Sequence, residues 1–135
     1  MIDTHCHLFL EEFDPDREQT IERCLAAGIE KIVNPNVDAS TLSALKSLCD
    51  RYPMHIYAAY GLHPCSVKSD YIEQLNTIKE FSRNLPMVGI GEIGIDLYWD
   101  TSYLKEQQHA LEIQFQWAVE SDKPVIIHTR QSFDI

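Results

Sequence analysis

The chain has 135 residues, 44% of them apolar, and a formal net charge of −10. That length suits one ordinary domain, and that apolar content supports a packed core rather than wholesale disorder. An acidic body repels a polyanion, because phosphate binding needs Lys or Arg to displace counterions, so broad coating of nucleic acid is excluded. No apolar run approaches the ~18 residues of a membrane span, and no basic stretch followed by an apolar one marks a secretory signal. The four cysteines, at 6, 24, 49 and 65, form no C-x-x-C pair. They read as reduced thiols of a cytoplasmic protein.

The chain opens with Met1-Ile2-Asp3-Thr4-His5-Cys6-His7. Residues 1–8 alternate as a strand does, which puts Asp3, His5 and His7 on one face and Ile2, Thr4 and Cys6 on the other. Two imidazoles ~6.5–7 Å apart along a strand can converge on one cation at its end. A core strand that happens to carry two histidines is the alternative, and later strand ends must decide between them. Cys6 points away from the histidines and suits packing against a helix.

Asp14-Pro15-Asp16 predicts a helix start, with Asp14 as N-cap and Pro15 at the first helical position. Its stripe is Ile21, Cys24 and Leu25, and Gly28 suits the C-terminal cap. A short strand, Lys31 to Pro35, follows. Asp38 or Ser40 then caps a helix bearing Leu42, Leu45, Leu48 and Cys49, which Pro53 ends. The third strand is Ile56 to Tyr60, continued by Gly61-Leu62-His63-Pro64. Ser69 or Asp70 opens a helix through Ile72, Leu75, Ile78 and Phe81. Met87 to Gly94 forms the fourth strand. Thr101 or Ser102 opens a long helix with an apolar stripe of Leu104, Leu111, Phe115, Ala118 and Val119. Pro124 to Arg130 is the fifth strand.

Strands alternating with helices imply a parallel sheet with right-handed crossovers. The near-continuous apolar strands fit burial on both faces. The chemistry-bearing residues fall at or beyond the carboxyl ends of the first, third, fourth and fifth strands, where a barrel of this type carries its site. A doubly wound sheet also binds there, but no G-x-G-x-x-G follows the first strand, which disfavours a dinucleotide. The fold class is therefore α/β of the (β/α)8 barrel type, with about the first five strands and four helices present as a single domain over residues 1–135.

Glu92 follows Val88 and Ile90 at period two, so it falls on a buried strand face, where an unpaired carboxylate is costly. It can bridge two cations. His128 ends an apolar strand and reads as a ligand before it reads as a core histidine. Arg130 shares its face and can neutralise an anion or pair with a structural carboxylate. His63 reads as a phosphate hydrogen-bond donor or a group behind the ligands, at even weight with a purely structural role. Asp96 can orient a ligand or pair with Arg130. His55 and His109 are assigned no chemistry.

These motifs resemble the TatD family of metal-dependent deoxyribonucleases, within the amidohydrolase-like barrel group. The resemblance rests on Asp3 to His7, Gly61-Leu62-His63-Pro64, Gly91-Glu92-Ile93-Gly94-Ile95-Asp96 and Pro124 to Arg130, in order across the whole chain. Gln107 and Gln114 also fit the family pattern. The resemblance implies that His5 and His7 bind one metal, Glu92 bridges two, and His128 binds the second. It implies two divalent cations (magnesium, manganese or zinc), with Glu92, His63 and Arg130 serving catalysis. The implied reaction is phosphodiester hydrolysis by metal-activated water on DNA or a nucleotide, and the acidic surface points to short or single-stranded ends rather than long duplex. Cys65 stands where the family often has histidine, and Gln131 and Ser132 where aspartate and alanine are common.

A complete eight-stranded barrel needs ~250 residues. The resemblance therefore identifies the chain as the N-terminal portion of a TatD-like barrel, without the ligand and catalytic aspartate that the family places on later strands. The first and fifth strands then offer open apolar edges that invite self-association. Two other readings compete. One is a non-catalytic metal-binding half-barrel that oligomerises. The other is a hydrolase of C–N or lactone bonds on the same barrel, though its relatives often use a carboxylated lysine where Glu92 stands.

Overall fold

The computed structural model describes residues 1–135. Five parallel strands, β1 (Ile2–Asp3), β2 (Lys31–Pro35), β3 (Ile56–Tyr60), β4 (Gly89–Asp96) and β5 (Val125–Arg130), lie side by side in chain order. Four α-helices, α1 (Arg17–Ala26), α2 (Leu42–Arg51), α3 (Tyr71–Ser82) and α4 (Leu104–Ser121), connect them. A doubly wound sheet reverses its strand order at a switch point. The unbroken order β1-β2-β3-β4-β5 has no reversal and is that of a barrel wall.

The sheet curls. The Asn36 N–H donates to Ala59 O at 2.8 Å and to Gly91 O at 3.2 Å, and the Glu92 N–H donates to Asn36 O at 3.2 Å. The end of β2 thus meets β4 across the end of β3, as in a closing barrel. Outside the sheet, α2 buries Leu42, Leu45 and Leu48, and α3 buries Leu75 and Ile78. With Ile32, Ile56, Ala58, Ile90 and Ile93 of the strands these form one apolar core. No helix is long and apolar enough to cross a membrane.

The structure departs from the sequence expectation in several places: β4 runs over Gly89–Asp96 instead of Met87 to Gly94, and three further differences have local reasons. First, β1 covers only Ile2 and Asp3 instead of residues 1–8. The Asp3 carboxylate accepts the His5 N–H at 3.0 Å, a side-chain turn that diverts the chain from the pleat. Contact with β2 resumes at the Cys6 N–H, bonded to Val33 O, and at the Leu8 N–H, bonded to Asn34 Oδ1. Cys6 is half-buried against the core, as expected. Second, α1 starts at Arg17, and Asp14 is not its cap. Asp14 pairs with the Arg17 guanidinium, which also donates to the carbonyls of Leu8 and Leu10 and so ties down the loop after β1. The helix ends as expected: Gly28, at φ +86°, follows it, with Gly28 N–H to Leu25 O and Ile29 N–H to Cys24 O, a Schellman close.

Third, α4 buries Gln107, Ala110, Gln114, Trp117 and Ala118, so of the expected stripe Ala118 is buried and Leu111 packs against the core, whereas Phe115 and Val119 lie outside. Val119 is 80% exposed. Two glutamines win the inner face because their amides find backbone partners on the sheet. Of the other starts, Asp38 caps a short 3-10 turn (Ala39–Thr41) before α2 by accepting the Ser40 N–H. Asp70 and Tyr103 precede α3 and α4 without side-chain cap bonds, so Thr101 and Ser102 do not cap α4.

Candidate metal centre

Glu92 is the hub. It is 5% exposed, and four imidazole nitrogens surround its carboxylate. His5 Nε2 lies 2.9 Å and His7 Nε2 3.4 Å from Oε2, while His128 Nδ1 lies 2.9 Å and His63 Nε2 3.6 Å from Oε1. The two oxygens thus face two separate sets of nitrogens. Burial pushes the Glu92 carboxyl up, but the surrounding imidazoles, His63 first and then His7 and His5, outweigh it. The group is held well below the ordinary carboxylate range and stays ionised.

Backbone geometry delivers each member. Gly94 sits at φ +148°, and a Cβ there would fall 1.9 Å from His128 O. Only glycine lets β4 and β5 close over the centre at the level where Gly94 pairs with His128. His63 precedes the turn that Pro64 begins. His5 and His7 project from the segment beyond β1, and their Nε2 atoms are 3.2 Å apart.

The tautomers can be read from partners that have only one role. Pro35 O can only accept, so the His7 Nδ1 at 3.0 Å from it carries the ring proton. In neutral His7 the Nε2 is then a lone pair, facing a carboxylate oxygen and the Nε2 of His5. Acceptors aimed at one point fit a cation there, and the outer hydrogen bond to Pro35 fixes the ring as such ligands require. His128 stands between two carboxylates, Nε2 2.7 Å from Asp96 Oδ2 and Nδ1 2.9 Å from Glu92 Oε1, so a ring proton shared with Asp96 would free Nδ1 to face a cation beside Glu92. His63 is different. Its Nδ1 accepts the Cys65 N–H at 3.1 Å, so its Nε2 carries the proton and donates. Proximity alone groups His63 with Glu92 and His128, but its tautomer makes it a donor.

The groups that could hold a metal are His5, His7 and Glu92 on one side and Glu92 and His128, with His63 beside them, on the other. Asp96 takes the first of its two expected roles, orienting His128. The Tyr98 N–H and His128 hold its carboxyl below the usual range despite burial. Arg130 pairs with no carboxylate here. Its guanidinium lies 3.7 Å from the Tyr98 ring centroid and 5.5 Å from that of Trp99. Burial first, then the neighbouring Asp96, pushes the Cys65 thiol up to about 11, so it remains a thiol. His55 and His109 bond Glu30 O and the Tyr71 hydroxyl, away from the cluster.

Four supporting residues were assigned no site role by the sequence. Gln107 brackets Asp96, accepting its N–H at 2.8 Å and donating to its O at 3.1 Å. Gln114 does the same for Leu62, next to His63, at 2.7 and 3.3 Å. Asn36 donates to Gly61 O and Asp38 O, and Asn34 holds Leu8 beside His7. The sequence signal for the asparagines was a pair of polar residues flanking Pro35 at the end of an apolar strand. An apolar cavity of about 420 Å³, lined by Cys49, Pro53, Ile56, Tyr57 and Met87, opens at the amino ends of β3 and β4. That is the opposite end of the sheet, and it takes no part in the centre.

A parallel barrel wall with imidazoles and carboxylates gathered beyond its strands' carboxyl ends is the architecture of the metal-dependent barrel proteins. Within that class the chain belongs to the TatD-related DNase family, whose model matches residues 2–134. It is 38% identical over 132 residues to the uncharacterised metal-dependent hydrolase YabD of Bacillus subtilis, covering 98% of this chain and 51% of that protein. It is 28% identical to a protein of Pantoea named 3′-5′ ssDNA/RNA exonuclease TatD, covering 99% and 52%. The crystal structure of YjjV, a TatD homologue from Escherichia coli, superposes with a TM-score of 0.90 at 34% identity, over 99% of this chain and 52% of that one. The chain thus spans about half the length of the relatives it matches.

Proposed function

We propose that the protein is a metal-dependent phosphodiesterase of the deoxyribonuclease type, acting on short or single-stranded DNA. The observation that carries the reading is the buried, ionised Glu92 between two sets of imidazole nitrogens, with the Nε2 lone pair of neutral His7 directed at its oxygen. His5, His7, Glu92 and His128 would hold two divalent cations (magnesium, manganese or zinc), with Glu92 shared between them. Such ions acidify water and polarise a phosphoryl oxygen. Around them the chain's own groups position and polarise. His63 directs an N–H into the same space and can donate to a phosphoryl oxygen as charge develops there. Asp96 orients the His128 ring. Arg130 supplies positive charge beyond the cluster for a neighbouring phosphate. Membership of a family that includes nuclease-named relatives supports the substrate class. Four unpaired cysteines suit a reducing, cytoplasmic setting.

A second reading is a metal-binding half-barrel without turnover that associates through its open edges. Ile2 on β1 and Ile127 on β5, 57% and 52% exposed, favour it. One experiment separates the two. Nucleotide release from a single-stranded DNA oligomer is followed with Mn²⁺ or Mg²⁺, with chelator, and in Glu92→Gln. Metal-dependent release that is abolished in the variant is the expected result. Metal uptake without release, accompanied by a concentration-dependent rise in sedimentation coefficient, selects the second reading.

A further inference from the structure

Beyond the cluster, the ends of β4 and β5 carry a second surface of different chemistry. Asp96 pairs with Arg130 in the register, two residues beyond the Gly94–His128 level. That is ~6.6 Å further along the strands. There Arg130 stacks on Tyr98, and Tyr98 meets Trp99 edge-on with centroids 4.6 Å apart. An indole is among the most costly side chains to leave in water. Yet Trp99 is 72% exposed and Tyr98 47%, whereas Trp117 is only 9% exposed.

Trp99 is presented by a loop pinned on both sides. The Leu97 N–H donates to Arg130 O at 3.0 Å and the Tyr98 N–H to Asp96 Oδ1 at 2.9 Å. Beyond it, the Ser102 N–H donates to Asp100 Oδ1 at 2.8 Å, and the Lys68 ammonium lies 3.4 Å from Asp100 Oδ2. The ring is therefore held out at low entropic cost. Charge points the same way. In a chain of net −10, a polyanion needs local compensation. Ring faces hold Arg130 while leaving its charge free of a carboxylate partner.

We propose that Trp99, Tyr98 and Arg130 form a stacking subsite for single-stranded nucleic acid. A nucleobase lies on the exposed Trp99 face, and Arg130 meets the adjoining phosphate. Stacking on aromatic rings is tolerant of sequence, since every base has a π-face, but it needs a base free of its duplex neighbours. The subsite thus selects unpaired ends and sets which phosphodiester reaches Glu92. The inference rests on the phosphodiesterase reading for the reacting group, but the binding step needs no turnover.

The test is the affinity of the protein for a short phosphorothioate oligothymidylate, which resists cleavage, by fluorescence anisotropy in Mg²⁺. An abasic oligomer of equal length and charge is measured beside it. Trp99→Ala is expected to weaken the thymidylate roughly tenfold, Trp99→Phe to keep most of the affinity, and the abasic oligomer to bind wild type and Trp99→Ala alike. Because Trp99 is exposed, these variants leave the core intact. Equal affinity of wild type for both oligomers, no measurable binding, or no loss in Trp99→Ala overturns the subsite. Base-dependent binding without metal-dependent cleavage of ordinary DNA keeps the subsite and overturns the phosphodiesterase reading. Cleavage with Trp99-independent binding does the reverse.

Discussion

At the residue scale the centre is governed by which ring nitrogen carries a proton, and that is set by atoms outside the ligand set. Pro35 O fixes His7, and Asp96 competes with Glu92 for the His128 proton. From sequence Asp96 was suited either to a ligand or to Arg130, and the two are indeed aligned across β4 and β5. Arg130 instead spends its guanidinium on aromatic faces, so Asp96 is left for the imidazole. Replacing Asp96 by Asn keeps the shape but loses the charge that holds the Nε2 proton and raises ligand basicity. Asp96→Asn is expected to weaken metal binding by roughly 10–100-fold. Competition against a chromogenic chelator measures it, and an unchanged affinity would remove Asp96 from the centre.

At the element scale, α4 places two segments of the site with two glutamines one face-repeat apart. Each amide closes a pair of bonds to one residue: Gln107 to Asp96, Gln114 to Leu62. Gln114→Leu keeps the volume but strands the Leu62 N–H and C=O in a buried setting. A stranded buried polar group costs about 1–3 kcal/mol, so the urea midpoint should fall accordingly. Metal affinity should fall less in this variant than in Asp96→Asn, because His63 beside Leu62 is a donor and not a ligand. The same helix shows where sequence reading ends. Apolar periodicity gave the helix and its length but chose Phe115 and Val119 for the inside, because it has no means of scoring an amide that pairs with a strand. By contrast β2 and β3 were legible residue for residue, as short apolar runs stopped by Pro35 and Gly61. The first strand was overextended because the turn made by Asp3 on His5 lies in one side chain, not in the alternation. The histidines and Glu92 were legible as a set, since each stands at a strand's end. Their supporting asparagines and glutamines lack charge, and although the glutamines fitted the family pattern, only contacts reveal what these residues hold.

At the scale of the whole molecule, the centre joins parts of the chain that little else joins. The sheet pairs β1 with β2 alone and β5 with β4 alone, so the two are its edges. His5 and His7 follow one edge, His128 belongs to the other, and Glu92 lies between them. A cation held by these residues would cross-link the curl from edge to edge and fix the short β1 segment, which has only two paired residues. Binding to the folded state alone stabilises it by about 2.7 kcal/mol at a hundredfold excess over Kd, which corresponds to a rise in Tm of roughly 5–10 °C for a domain of this size. Neutralising part of the net −10 charge would also favour the compact state, without any specific site. The two effects separate cleanly. General neutralisation survives Glu92→Gln and is matched by monovalent salt, whereas cross-linking is lost in the variant and is reversed by chelator. Thermal denaturation with Mn²⁺ or Zn²⁺ should therefore raise the wild-type Tm, leave Glu92→Gln unmoved, and slow amide exchange first between Thr4 and Leu8. A shift of equal size in both proteins would mean that the ions act on the surface and that the four imidazoles hold Glu92 without metal.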